Sequence, residues 1–285
     1  MMRSTPSSTR FWSDHMELGL QNKVVVITGG GTGIGFATAM EFLREGATVV
    51  ITGRRTAPLE EAAATAKAEG YELTWYSCDV SDAKALEQFA AGVVDRFGRI
   101  DIWVNNAGVN FSKDFLDTTE EDLEKTMKIN LGGTFLGTKV AAGYMMNNPE
   151  TEGGKGVIIN MSSFASKLPH THMVPYAASK AAVSNLTRTT ADALAPYGIR
   201  VLSIIPGMIV TPLAEEEIAE YREKFTKDIS AGRLGRPEDL AKPIVFLASP
   251  AAGYIAGVDI EISGGKFAVQ DCDMGWRLKA AREQN

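Results

Sequence analysis

The stretch Thr28-Gly29-Gly30-Gly31-Thr32-Gly33-Ile34-Gly35 follows an apolar run, Val24 to Thr28, and leads into a helical pattern, Ile34 to Glu45. A strand that passes through glycines into a helix N-terminus brings backbone N–H groups and the positive helix end to one point, where a pyrophosphate can be held. In that arrangement Gly29 allows the tight turn, Gly33 the close approach of backbone to phosphate, and Gly35 the packing of helix on strand. The spacing is Gly-x-x-x-Gly-x-Gly and lacks the Lys of a triphosphate P-loop, which disfavours ATP. Taken alone the stretch also reads as a glycine-rich turn without a ligand, so its neighbours decide.

Outward from this point, short β-branched runs alternate with longer helical patterns. Further strand-like runs are Thr48 to Thr52, Leu73 to Ser77, Ile100 to Asn105, Val157 to Met161, Val201 to Ile205 and Asp259 to Ile262. They are continuously apolar, which suits a parallel sheet covered on both faces. Repeated βα units predict an α/β fold: a doubly wound parallel sheet of the Rossmann kind, of about seven strands with helices on both faces. No proline-rich or glycine-serine linker divides the chain, so residues 16–285 read as a single domain. Residues 1–15, rich in Ser, Thr and Arg, read as a mobile leader, with a short transit peptide or an upstream start as alternatives. Residues 208–233 form an acidic, mostly helical insertion before a helix that starts near Pro237. Its place after a strand's carboxyl end suits a lid, and a solvated surface helix is the alternative.

Composition narrows the partners. A formal net charge of −6 gives no basic face for phosphate backbones, so a nucleic-acid protein is not expected. No apolar run approaches the roughly 20 residues that span a bilayer, and a soluble cytoplasmic protein is expected. Cys78 and Cys272 are too few and too far apart for a disulfide framework or zinc cluster and read as free thiols. His170 and His172 lack an evident third ligand, so no metal is expected.

The second strand ends in Thr52-Gly53-Arg54-Arg55, where a carboxylate would grip a free ribose 2′-hydroxyl. Arginine instead grips phosphate, so Arg54, with Arg55, favours the 2′-phosphate of NADP(H) over NAD; ordinary surface arginines are the bland reading. Further on, Pro175-Tyr176-Ala177-Ala178-Ser179-Lys180-Ala181 begins a helical pattern running to about Tyr197. Tyr176 and Lys180, four apart, share a helix face. A phenol near its ordinary pKa of about 10 is a poor base at neutral pH, and a nearby ammonium stabilises its phenolate. The pair makes a usable acid/base, although the spacing alone is common on helices.

With these motifs in order, the chain from about Leu20 to Gly265 resembles the short-chain dehydrogenase/reductase family. The family's glycine pattern matches Thr28 to Gly35, including Thr32 and Ile34, its Asn-Asn-Ala-Gly motif matches Asn105 to Gly108, and its Tyr-x-x-x-Lys matches Tyr176 and Lys180. The resemblance implies a catalytic serine thirteen residues before the tyrosine, Ser163 and not Ser162, and a helix asparagine at Asn130. It further implies that Asp79 and Val80 line the adenine, that Asn106, Ala107 and Gly108 flank the cofactor, and that Pro206, Gly207, Ile209 and Thr211 hold the nicotinamide end. In the implied mechanism Ser163 hydrogen-bonds the substrate oxygen and Tyr176 transfers its proton. Lys180 lowers the tyrosine pKa and bonds the nicotinamide ribose, and Asn130 fixes a water that links Lys180 to solvent. A homotetramer is implied as well.

The expected activity is therefore hydride transfer between NADP(H) and a ketone or secondary alcohol, as a carbonyl reductase or alcohol dehydrogenase. The rival from another class is a regulatory protein that binds NADP(H) without turnover. Phe111, Phe164, Met173, Met208 and Trp276 are candidates for an apolar pocket with His170 and His172 at its rim, leaving 3-oxoacyl, steroid and polyol substrates open. The tail beyond Gly265 reads either as a contact to a neighbouring subunit or as a disordered end.

Overall fold

The computed structural model describes residues 17–266 and 268–283; residues 1–15, read above as a leader, lie outside the described residues. In chain order the elements are β1 (Val24–Thr28), α1 (Gly33–Arg44), β2 (Thr48–Gly53), α2 (Thr56–Ala68), β3 (Leu73–Ser77), α3 (Ala83–Phe97) and β4 (Ile102–Asn105). There follow α4 (Glu120–Met127), α5 (Gly133–Met145), β5 (Gly156–Met161), α6 (Val174–Leu194), β6 (Ile199–Pro206), α7 (Glu215–Lys227), α8 (Pro237–Ala248), β7 (Asp259–Ile262) and α9 (Met274–Glu283). Among the described residues no helix is long and apolar enough to cross a membrane.

The strands form a seven-stranded sheet in the order β3-β2-β1-β4-β5-β6-β7, with the described pairings all parallel. Their continuous apolar runs follow from the pleat, which sends successive side chains to opposite faces. Val25, Ile27, Val49, Ile51 and Ile159 pack with α1, α2 and α8 through Phe42, Leu59 and Ile244. Val24, Val26, Val50, Trp103 and Ile158 pack with α3 and α5 through Leu86, Phe89 and Met145. Strand order reverses between β1 and β4, and the crevice outside the carboxyl ends at such a switch point is where ligands bind in this architecture.

Two local departures from the sequence reading have simple causes. The run from Ile100 becomes a strand only at Ile102, because Asp101 is taken up in closing the start of β1: its carboxylate accepts the Val24 amide at 2.9 Å. The helix read to Tyr197 is α-helical to Leu194 and then tightens into a single 3₁₀ turn, Ala195–Tyr197. Pro196 has no N–H for the helix ladder, and Gly198 ends the turn at φ 70°.

The long helix α6 is held in register by buried polar side chains. Asn105 at the end of β4 donates to Asn160 Oδ1 at 2.8 Å and accepts from Trp103 Nε1 at 2.7 Å. Asn160 in turn donates to Thr187 of α6 at 3.0 Å. A buried amide left without such partners costs stability, so this chain of bonds opposes sliding of α6 along the sheet.

Candidate active site

A cleft of about 440 Å³ opens at the switch point, lined by the glycine turn after β1, the end of β2 and the residues after β3 and β4. Gly29 has φ 64°, and a Cβ there would lie 2.9 Å from Ala107 Cα, so the turn and the loop after β4 touch backbone to backbone. Asn106 locks the two together: its Nδ2 donates to Thr28 O at 3.0 Å and Gly29 O at 2.9 Å, and Thr28 Oγ1 accepts the Asn106 and Ala107 amides. Gly35 is not among the residues lining this cleft and serves packing, since a Cβ on it would stand 2.4 Å from Gly29 O. The start of α1 has no side-chain cap from Thr32 and no acidic residue in its first turn. Its positive end thus keeps its attraction for an anion.

Thr32, Gly33, Ile34, Arg54, Arg55, Asp79, Val80, Asn106, Ala107, Gly108 and Thr211 line this cleft. Cys78 lines it too, and burial pushes its thiol up to about 11. Arg54 is half-exposed, with Nη1 4.0 Å from Asp79 Oδ2. Burial raises the Asp79 carboxyl, but the Ser81 amide and hydroxyl, then Arg54 and Lys128, outweigh it and hold the group below the usual range. The glycine cradle and the uncapped helix start fit a dinucleotide phosphate chain.

A second cavity, of about 130 Å³, adjoins the first and shares Ile34, Asn106, Gly108, Thr211 and Leu213 with it. It is walled by Ser163, Tyr176, Lys180, Pro206, Gly207 and Ile209, with Phe164, Met173 and Met208 supplying apolar surface. The two adjacent serines divide their work. Ser162 Oγ is spent on α6, bonding Lys180 O at 3.0 Å and Ser184 Oγ at 2.8 Å. Ser163 accepts the Ala165 amide at 3.2 Å and faces the pocket beside Tyr176, close enough to pull the phenol's pKa down.

Lys180 is buried, its Nζ donating to Met161 O at 2.7 Å and lying 5.7 Å from the centroid of the Tyr176 ring. A Cβ on Gly108 would stand 3.3 Å from Asn130 Oδ1 and 3.5 Å from that Nζ, so the loop after β4 lies directly against both side chains. Burial pushes Lys180 down to about 8. Burial also pushes the Tyr176 phenol up; Ser163 opposes this and Glu217 adds to it, so the phenol is raised and not lowered as expected from Lys180, whose Nζ is turned to Met161 O.

Asn130 sits in a π-helical turn, Lys128–Gly132, between α4 and α5. Such turns reorient side chains and recur at functional sites. Its side chain accepts the Val109 amide at 2.8 Å and donates to Val109 O at 3.0 Å and Ser179 Oγ at 3.0 Å, joining the loop after β4 to α6.

Phe111 and Trp276 do not line the pocket. Lys125 Nζ lies 5.2 Å from the Phe111 ring centroid, and Trp276 on α9 donates to Ser230 O at 2.9 Å, over Gly232. The tail thus contacts the chain's own segment 208–233. His170 and His172 stand 5.6 Å apart, outside the wall. Sequence reasoning missed Asn110 and Glu217, which do line it. Burial raises the Glu217 carboxyl, and His170 and His172 oppose this. The signal for Glu217 was the acidic character of residues 208–233; nothing in the pattern around Asn110 marks it.

A doubly wound sheet with a dinucleotide cleft and a Ser, Tyr and Lys group beside it defines a nicotinamide-dependent oxidoreductase class. The chain belongs to the short-chain dehydrogenase family, whose sequence model matches residues 23–222. It is 36% identical to L-rhamnose 1-dehydrogenase (NAD(P)(+)) of Sphingomonas sp. strain SKA58 over 87% of this chain and 97% of that protein. It is likewise 36% identical to human (3R)-3-hydroxyacyl-CoA dehydrogenase, over 87% of this chain and 97% of the relative. The crystal structure of a short-chain type dehydrogenase/reductase from Mycobacterium marinum superposes with a TM-score of 0.83 at 34% identity, covering 89% of this chain and 98% of that one. The chain is therefore an oxidoreductase of the kind that interconverts alcohols and carbonyls with a nicotinamide cofactor.

Proposed function

We propose that the protein moves a hydride between NADP(H) and a ketone or secondary alcohol, with Tyr176 as the proton-transfer residue. The observation that carries this reading is the convergence of Tyr176, Ser163 and the buried Lys180 on one pocket that adjoins the dinucleotide cleft. When bound, the nicotinamide supplies or accepts the hydride. Ser163 donates to the substrate oxygen as charge develops on it, and Tyr176 Oη delivers or withdraws the proton at that oxygen. Lys180 pushed to about 8 is mostly charged at neutral pH, so its ammonium would stabilise the phenolate left by proton delivery and would hold the cofactor's ribose. Asn130 holds the Val109 loop against α6 and so fixes the distance between cofactor and phenol. Proton exchange with solvent runs through Lys180 and a water held by Asn130.

Arg54, with Arg55, grips the 2′-phosphate, which supports NADP(H) over NAD(H): Gly53 lies where a ribose-binding acid would project, and Arg54 lines the cleft. Segment 208–233 closes over the substrate as a lid. The chain acts as one domain over residues 16–285 within a homotetramer, which light scattering on the purified protein checks.

The activity test follows NADPH consumption over a ketone panel and NADP⁺ reduction over secondary alcohols, with NADH and NAD⁺ in parallel. Turnover with a clear preference for the phosphorylated cofactor is expected. Equal use of both cofactors overturns the preference, and tight NADPH binding with no turnover of any compound favours the regulatory reading instead.

A further inference from the structure

The pocket beside Tyr176 holds two acceptor groups that the mechanism above does not use. Asn110 Oδ1 is buried and has no hydrogen-bond partner among the described residues, although the residue lines the cavity. A buried acceptor left without a donor costs stability, and a donor arriving with a ligand removes that cost. Glu217 lines the same cavity, half-buried, on α7. The helix is anchored through its apolar side: Ile218 and Phe225 are buried against Met208, Ile229 and Leu234. Seating Ile218 in that cluster turns its neighbour Glu217 to the rim of the pocket, where it is close enough to raise the Tyr176 phenol.

We propose, resting on the oxidoreductase reading above, that Glu217 and Asn110 form a hydroxyl-recognition pair that selects a compact, uncharged, polyhydroxylated substrate, a sugar or polyol. A carboxylate and an amide oxygen both ask for donors, which hydroxyl groups carry and ketone, thioester and hydrocarbon groups lack. Lys180 and Glu217 line the same pocket with opposite charges, so it carries no net charge that favours an ionic substrate. The exposed Glu215, Glu216 and Glu220 on the same helix repel an acidic carrier protein. A cavity of about 130 Å³ suits a small substrate.

The test compares kcat/KM with NADP⁺ for a panel of free aldoses and polyols against cyclohexanol and a 3-hydroxybutyryl thioester, in the parent, Glu217→Ala, Glu217→Gln and Asn110→Ala proteins. The parent should prefer a polyhydroxylated compound. The ratio of that compound to cyclohexanol should fall about tenfold to a hundredfold in Glu217→Ala and about tenfold in Asn110→Ala. Glu217→Gln, which keeps an acceptor and the side-chain length, should fall between the parent and Glu217→Ala; thermal melts verify that each variant is folded. A parent that prefers cyclohexanol or the thioester, or ratios unchanged in both alanine variants, overturns the proposal alone. Turnover of none of these alcohols or of the corresponding ketones overturns the oxidoreductase reading and this proposal together.

Discussion

Along the carboxyl edge of the sheet, the dinucleotide cleft takes its shape from backbone at Gly29, Gly31, Gly33 and Gly108, whereas the neighbouring pocket takes its chemistry from side chains delivered by separate segments. Ser163 follows β5, Tyr176 and Lys180 ride on α6, Asn110 follows β4 and Glu217 lies on α7. A backbone cradle tolerates little change of residue type where a Cβ would strike neighbouring backbone, as at Gly29 against Ala107 and Gly31 against Pro58. A pocket of side chains can be altered one group at a time, changing rate or selectivity while the fold persists. Substitutions in the two regions should therefore fail differently: loss of cofactor binding in the first, loss of chemistry or selectivity in the second.

The largest effect is expected at Gly35. A Cβ there meets Gly29 O at 2.4 Å and Asn106 Nδ2 at 2.6 Å, so Gly35→Val must push the turn away from α1. NADPH affinity should weaken roughly a thousandfold or more, measured by calorimetry, the scale of a steric clash of about 4 kcal/mol. Near-parental affinity would break the contrast drawn here. Arg54→Ala should act on one phosphate alone: kcat/KM with NADPH drops about tenfold to a hundredfold, the scale of a charge-assisted hydrogen bond, and kcat/KM with NADH hardly moves. Equal losses with both cofactors would mean that the arginine supports the loop and not the phosphate.

A smaller effect separates folding from function at Lys180. Its folded-state pKa of about 8 lies below the ordinary value of 10.5, so between those two values the unfolded chain binds more protons than the folded one. Stability contributed by this group therefore rises as pH climbs from about 8 towards 10.5. Denaturant melts of the parent and Lys180→Met across that range should show the parent gaining on the variant as pH increases. A constant gap would mean that the lysine is not desolvated in the fold.

The same contrast explains what was legible in the sequence. All seven strands were placed within two residues at both ends, and β1, β3 and β7 without error, because a parallel sheet writes each strand as an apolar run between helices. The glycine turn, Arg54 and the Asn106–Gly108 stretch could be read because a phosphate site needs specific residues at short spacing. Phe111 and Trp276 were misjudged for the opposite reason: apolar character does not say which way a loop or tail side chain points, and these two meet Lys125 and Ser230 instead. Asn110 and Glu217 stand 107 positions apart in the sequence, and only the packing of α7 through Ile218 and Phe225 brings them to one cavity.

The account depends most on Tyr176 carrying the proton while taking no part in holding the fold. Removing one oxygen with Tyr176→Phe, and measuring NADPH affinity and turnover in the same preparation, tests this directly. Affinity within a fewfold of the parent and turnover reduced by roughly a hundredfold to ten-thousandfold is the expected result. Turnover within a fewfold of the parent would contradict it, as the proton would then come from another group.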